Sequence, residues 1–583
     1  MQPSSDQSGS AAPGGGALRR WGPIAAIVVV LAVVGALVVF SGDDDEPETT
    51  DSAATDDGAG DGGAGDGGDG GEAPEGAVTY AMAEAAGTVG DYTWMDSCDT
   101  ETGLVSMPNQ FAGECYANVE DNGGATYAGV TEDEIKVVVY QAPEDDPVLS
   151  FITAPIANDD TNPQEAETLQ GYTDMFNAIY QTYGRKVVLE FMTGSGTSTD
   201  EVAARADAVK AMEELGAFAV WGGPVLSNAW TEEIKARGGV CIGCPGLRDA
   251  APSVFGIVPS AQQTRQAWID WVGQKLAGKP AEYAGDESMH GTERVFGQLY
   301  IDTGSADVQE GLDEQDELVA EAGFEITERV GYELNPGTLA EQASTAIARL
   351  QEAGVTSVII GGDPIAPKTF TEVATQQGFF PEWILNGAAL QDTSAFGRTY
   401  DQQQWAHAFG ISALAARTVN GLGDAERVYQ WWAGEYPPAD DTVGVLWPLP
   451  AVFFSGVQAA GPNLTMESFR DGLFSIPPNE ANPTQQGYSY GEHGIWPQVD
   501  YGGIDDFAEV WWDPTVEGDD EIRKPGTGMY QSVDGGRRYR LGEWPDELRF
   551  FDLEGAVAIY EELPPEWAPA APPPPPGSPA AGG

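Results

Sequence analysis

Cys241-Ile242-Gly243-Cys244 has the C-x-x-C spacing of a thiol oxidoreductase, chemistry that needs a thiolate stabilised by a helix N-terminus or a nearby cation. Here the pair follows Gly238-Gly239-Val240, where a buried strand runs into a loop, so a local structural bridge or a pair of packed thiols is preferred over redox catalysis. His290, His407 and His493 stand alone, with no H-E-x-x-H and no zinc-like clustering, and no metal site is expected. Gly194-Ser195-Gly196-Thr197 follows a strand but lacks the lysine and spacing of a phosphate-binding loop, and no complete G-x-G-x-x-G or G-x-S-x-G occurs in the folded part. No catalytic residue and no cofactor is assigned, and the chain is read as a non-enzyme. A glycosidase-like carboxylate pair could arise by chance among 92 acidic residues, but nothing indicates one, and a hydrolase is the less favoured alternative.

What is left is binding chemistry at strand ends. Residues 222–230 read GGPVLSNAW, a loop entering a helix that Ser227 and Asn228 can cap, and the N–H groups exposed there would equally receive a carboxylate. Trp221 and Trp230 bracket this loop, either as an aromatic wall for a solute or as core. Asp302, Asp363 and Asn386 stand at later strand ends. Asp363 follows Gly361-Gly362, where backbone can approach closely, and it either pairs with an ammonium or amide or caps the helix starting near Pro364.

Elements must hold these residues in place, and apolar strands alternating with amphipathic helices supply them, the pattern of an α/β fold with mostly parallel sheets. Strands are expected at 135–140, 186–191, 217–221, 239–242 and 254–258, with helices at 165–183, 200–215, 228–237 and 261–276. A second series follows a loop at 280–292: strands 295–301, 325–330, 356–361 and 382–385, helices 304–322, 338–353 and 364–377. Two such series predict two lobes with a cleft between them, beyond the carboxyl ends of the strands. The chain is expected to recross near 407–411, with helices 425–435, 445–461 and 466–475 completing the first lobe and 494–512 returning to the second. The run from 514 to 544 has no assignment.

The chain has 583 residues, 27 basic against 92 acidic, a formal charge of −65 that disfavours nucleic acid and anionic lipid. Residues 43–75 hold 13 acidic residues and no basic one; the rest is still acid-rich, which reflects solubility or a saline habitat. Residues 22–40 (GPIAAIVVVLAVVGALVVF) match the roughly 30 Å thickness of bilayer hydrocarbon, with Arg19 and Arg20 before them and an acidic run after. The expectation is a signal-anchor at 22–41, a cytoplasmic 1–21, and a folded part outside a cell membrane crossed once; a cleaved secretory signal is the alternative. An acidic Gly/Asp/Ala linker fills 42–78, and 564–583 is a Pro/Ala-rich tail, extended or disordered. Four cysteines in an oxidising exterior suggest two disulfides, with Cys98 to Cys115 the preferred pairing of the three possible sets and Cys241 to Cys244 the other.

At this level the sequence resembles type I periplasmic solute-binding proteins, the leucine/isoleucine/valine-binding group of ABC importers, in an actinobacterial form. The resemblance rests on GVTEDEIKV at 129–137, Phe176-Asn177, Tyr183-Gly184-Arg185-Lys186, Trp221-Gly222-Gly223-Pro224, and Ile347-Ala348-Arg349-Leu350 leading to Val358-Ile359-Ile360-Gly361-Gly362, in order over about residues 129–415. It implies a two-lobed clamp closing on a small solute, such as an amino acid or amide, and presenting it to permease subunits, or reporting it as a receptor subunit. It also implies a carboxylate contact in the 222–230 loop. Cys244-Pro245-Gly246-Leu247 matches a binding loop without its hydroxyls, and Ala388 stands where the amino-acid binders carry Glu, so amino-acid specificity is not carried over. The implied organisation is a disulfide-bearing preface at 79–130, lobe 1 at 131–260 and 404–480, lobe 2 at 261–403 and 481–516, and a C-terminal extension at 517–563.

Overall fold

The computed structural model describes residues 73–582 apart from 111, 225, 247–250, 305 and 389. The expected anchor at 22–41, the 1–21 portion and most of the linker lie outside the described residues, and among the described residues no helix is long and apolar enough to cross a membrane. The preface is tied by Cys98–Cys115, Cα atoms 5.6 Å apart, with β1 (Cys98–Asp99) antiparallel to β2 (Leu104–Val105). Arg185 fixes this preface to lobe 1 by donating to the carbonyls of Thr131 (2.8 Å), Gly124 (3.1 Å) and Pro462 (2.9 Å).

Lobe 1 is a parallel sheet of β3 (Glu134–Gln141), β4 (Lys186–Thr193), β5 (Ala219–Trp221), β6 (Val240–Ile242) and β7 (Val254–Phe255), in the order β4-β3-β5-β6-β7. Consecutive Val137, Val138 and Val139 are all buried, because helices cover both faces and the strand has no wet side. Val137, Val139 and Trp221 face a core that includes Phe176 and Phe454, stacked at 5.0 Å, while Val138 and Val220 face Ala208 and Ile234. Helix Asn162–Ile179 starts where Thr161 and Gln164 cap each other reciprocally, and Ser260 and Gln263 do the same for Ala261–Lys275.

Lobe 2 repeats the order. β8 (Phe296–Ile301), β9 (Ile326–Tyr332), β10 (Ser357–Ile360), β11 (Glu382–Asn386) and β12 (Ala408–Ser412) run parallel as β9-β8-β10-β11-β12, followed by antiparallel β13 (Phe507–Asp519) and β14 (Pro525–Ser532), with β15 (Arg538–Tyr539) beside β13. The expected two-lobed α/β arrangement is thus what the chain forms. Two boundaries need correction. The 407–411 segment is not a crossing but strand β12: Phe409 and Ile411 are buried, and Gly410 lies so close to Leu385 that an added Cβ would sit 2.2 Å from its carbonyl oxygen. The crossing therefore follows Ser412.

The second correction concerns residues 517–563, expected as an extension outside lobe 2. The β13–β14 hairpin continues the sheet past 516, and Phe550 packs 4.8 Å from Phe409 and 5.9 Å from Trp271, closing one face of it. Buried Lys275 pins this cover by pairing with Glu509 at 3.2 Å and donating to the carbonyls of Pro545 and Glu547. The Pro-rich tail lies along helix Asp424–Ala433, where the Trp431 indole donates to the Pro572 carbonyl (2.7 Å).

At the root of lobe 2, Arg294 donates to both oxygens of Glu382 (2.7 and 3.0 Å), and neither side chain meets solvent. Ser357 and the Tyr283 N–H complete the shell of Glu382. Removing one partner of such a pair leaves an uncompensated buried charge. Arg294→Met is expected to lower stability by about 3–5 kcal/mol, read as a shifted denaturant midpoint with tryptophan fluorescence.

Candidate functional site

Parallel strands expose their carboxyl ends to one side, and in doubly wound sheets that side is where ligands sit. A cavity of about 540 Å³ lies where the two sets of strand ends meet. Lobe 1 contributes Gly243 and Cys244 after β6 and Val254 of β7; lobe 2 contributes Tyr300 and Ile301 of β8, Gly361 and Gly362 after β10, and Asn386 closing β11. Its size suits a small molecule.

Two crossing segments form the wall of the cavity on the hinge side, 256–260 and 498–502. They lie backbone to backbone: the Gly256 N–H donates to the Tyr501 carbonyl at 2.6 Å, and a Cβ on Gly502 would fall 2.1 Å from Gln263 Oε1. Gln263 in turn donates to Asp500 Oδ1 (2.7 Å), which also receives the Gly502 (2.6 Å) and Gly503 (3.2 Å) N–H groups. Asp505, on the same segment, accepts from Ser489 Oγ at 2.8 Å. Burial, reinforced by the charge of Asp500, pushes its carboxyl up to about 8, while burial lifts Asp500 to about 6 against its three hydrogen bonds.

The polar lining is sparse and ordered. Arg265 pairs with Glu314 at 2.6 Å, and Gln298 and Gln315 exchange amide hydrogen bonds at 3.1 and 2.7 Å. Asn386 is held by close packing, since a Cβ on Gly361 would stand 2.3 Å from its Nδ2, and its Oδ1 accepts from the Ala388 N–H at 3.2 Å. The C-x-x-C cysteines form a disulfide, Cα atoms 5.8 Å apart, which ties the loop after β6 that borders the cavity.

The structure brings only part of the sequence-derived set to this cavity. Asn386 lines it, and Asp302 lies just past Ile301, its carboxylate accepting from the Gly304 N–H at 2.8 Å. Trp221 is fully buried against Phe453 (5.6 Å) and Trp230 against Tyr140 (5.1 Å), each in a core of lobe 1. Ser227 is buried and accepts from the Ala229 N–H (3.2 Å), whereas Asn228 precedes helix Ala229–Ala236 with a buried Oδ1 that has no partner. Asp363 takes the capping role: Oδ1 accepts from the Ile365 and Ala366 N–H groups, both 2.7 Å, and Oδ2 from the Tyr332 hydroxyl at 2.6 Å. Burial outweighs these bonds and raises its pKa above the usual carboxylate value. Arg265, Glu314, Gln298 and Tyr300 were not foreseen; the one available signal for Arg265 was its place in the second turn of a helix that opens directly off a crossing.

A second space of about 1140 Å³ is framed by the preface, lobe 1 and lobe 2, with Met107, Phe176, Trp447, Val452, Leu390 and Tyr530 among its walls. It is larger but lies away from the strand ends after β6, β8 and β10, so the smaller cavity is the candidate site.

No protein-family model matches the sequence, and no curated protein matches it. Among the solved structures similar to the chain are substrate-binding proteins of ABC transporters. A fatty acid ABC transporter substrate-binding protein from Thermomonospora curvata shows 12% identity and a TM-score of 0.46 over 72% of this chain and 94% of that one. The branched-chain amino acid transporter substrate-binding protein LivJ from Streptococcus pneumoniae, in complex with isoleucine, shows 13% and 0.43 over 69% and 100%. A solute-binding protein of an ABC transporter from R. palustris, in complex with benzoate, shows 14% and 0.43 over 74% and 100%.

The crossing segment should report pH. Unfolded, the Asp505 carboxyl loses its proton near 3.8; folded, it holds the proton to about 8. Between those values the folded chain binds more protons than the unfolded one, so stability is lost as pH rises from about 4 to about 8. Asp505→Asn is expected to flatten that part of a melting-temperature profile.

Proposed function

We propose that the chain is an extracytoplasmic solute-binding protein of an ABC importer, anchored by residues 22–41, that clamps a small polar solute between its lobes and offers the closed form to a permease. The observation that supports this reading most directly is the 540 Å³ cavity, whose walls come from the strand ends of both sheets and from the crossing segments that would bend. A solute there touches both lobes at once, and only contacts made simultaneously to both favour closure. A binding role is in keeping with the lining, where an ion pair, amides, a phenol, the Ser260 and Thr264 hydroxyls and backbone offer contacts to a solute.

The solute class is read from the same walls. Arg265 offers a cation for a carboxylate or another acceptor, with Glu314 opposite it, and Asn386 offers an amide that both donates and accepts. A small zwitterion, amide or organic acid fits these groups, with Trp268 and Leu299 for an apolar part.

Mass spectrometry of solute carried through purification, followed by calorimetry, tests the assignment. Arg265→Met and Asn386→Leu are each expected to weaken binding of that solute by more than about 1 kcal/mol, a typical loss for a contact at a binding centre, with melting of the solute-free protein little changed. Full-strength binding by both variants would move the site elsewhere, with the 1140 Å³ space the next place to look.

A further inference from the structure

The tip of the β13–β14 hairpin is built by lobe 2 and charged toward lobe 1. Arg398, from lobe 2, grips it from inside: its guanidinium donates to the carbonyls of Gly518 (2.7 Å), Lys524 (2.8 Å), Gly526 (3.2 Å) and Gly528 (2.9 Å) and to the Asp520 carboxylate (3.0 Å). Asp520 Oδ1 accepts from the N–H groups of Ile522 (3.1 Å) and Lys524 (2.9 Å). The turn is therefore fixed in shape before it meets anything else.

What it presents are two cations. Arg523 pairs with Glu426 on helix Asp424–Ala433 and lies 5.6 Å over the Tyr436 ring. Lys524 Nζ stands 3.0 Å from Asp441 and 3.4 Å from Asp159. All of these partners belong to lobe 1: the Tyr172 hydroxyl of its main helix donates to the Ala425 carbonyl (2.7 Å), and the Asp159 N–H donates to Asp441 (3.1 Å). Arg523, Glu426 and Asp441 are about nine-tenths buried or more, which sets the Arg523–Glu426 pair apart from exposed ion pairs of negligible worth, while Lys524 is a third exposed and Asp159 mostly exposed. Two adjacent cations of lobe 2 thus meet three carboxylates of lobe 1.

We propose that residues 519–525 form an electrostatic latch that holds the two lobes together before any solute arrives. The latch raises the fraction of closed protein, and the apparent affinity of a clamp scales with that fraction. This consequence for affinity rests on the solute-binding reading; the latch itself does not.

The test measures the distance between lobes in the full-length protein, with donor and acceptor dyes on Val202→Cys of lobe 1 and Leu553→Cys of the cover on lobe 2, both exposed positions. Without added solute, Arg523→Met/Lys524→Met is expected to shift the distance distribution to longer values, and Arg523→Lys/Lys524→Arg to keep it near wild type. Should the first variant fail to fold, Glu426→Gln/Asp441→Asn removes the same pairs from the lobe 1 side and carries the same expectation. A distribution unchanged by removal of the charges, in protein with native circular dichroism, overturns the latch. Once a solute is known, its dissociation constant should rise at least about three-fold in the methionine variant. A failed search for solute would undercut the proposed function and leave the distance result intact.

Discussion

A parallel sheet wrapped by helices on both faces has no wet surface except at its ends. The placement of the candidate site follows from that restriction. The inner strands bury their side chains on two sides, as the unbroken Val137-Val138-Val139 run shows, so polar groups able to meet a ligand collect where the strands stop. Both sheets use the same strand order, and the crossings turn them so that these ends face one another. The apolar cores of the two lobes also meet, since Trp230 and Val254 belong to one buried cluster with Leu299 and Ile360.

The lobes were legible in the sequence because hydrophobic period and turn chemistry agree over most of the chain: expected strands at 135–140 and 186–191 are found as Glu134–Gln141 and Lys186–Thr193. The signal failed where glycines interrupt the apolar run. Ala408–Ser412 reads like a linker because Gly410 breaks the apolar run, yet that glycine is what allows the backbone to lie against Leu385. The β13–β14 hairpin was hidden by Gly518, Gly526 and Gly528, whose carbonyls the Arg398 guanidinium collects.

Site residues were harder to read than elements. Aromatic residues at strand ends are equally at home in a core, and Trp221 and Trp230 are core. Asp363 has the right place on its strand, but three donors from Tyr332, Ile365 and Ala366 occupy its carboxylate. Arg265 and Glu314 come from two helices distant in sequence, and only the packing of those helices makes them neighbours. The scarcity of cations proved informative instead: Arg185, Lys275 and Arg398 each gather several carbonyls or carboxylates and join segments that share no strand.

The preface carries a mechanical consequence. It is welded to lobe 1 by Arg185, by the packing of Ala77 and Tyr116 on Ala459, and by the Thr126 hydroxyl donating to the Leu464 carbonyl at 2.6 Å. A force on the preface is therefore borne first by lobe 1, with the Asn482 amide, which donates to Gln110 Oε1 at 2.7 Å, as a link to the segment returning to lobe 2. In the proposed clamp, lobe 2 is then the half that moves relative to the preface.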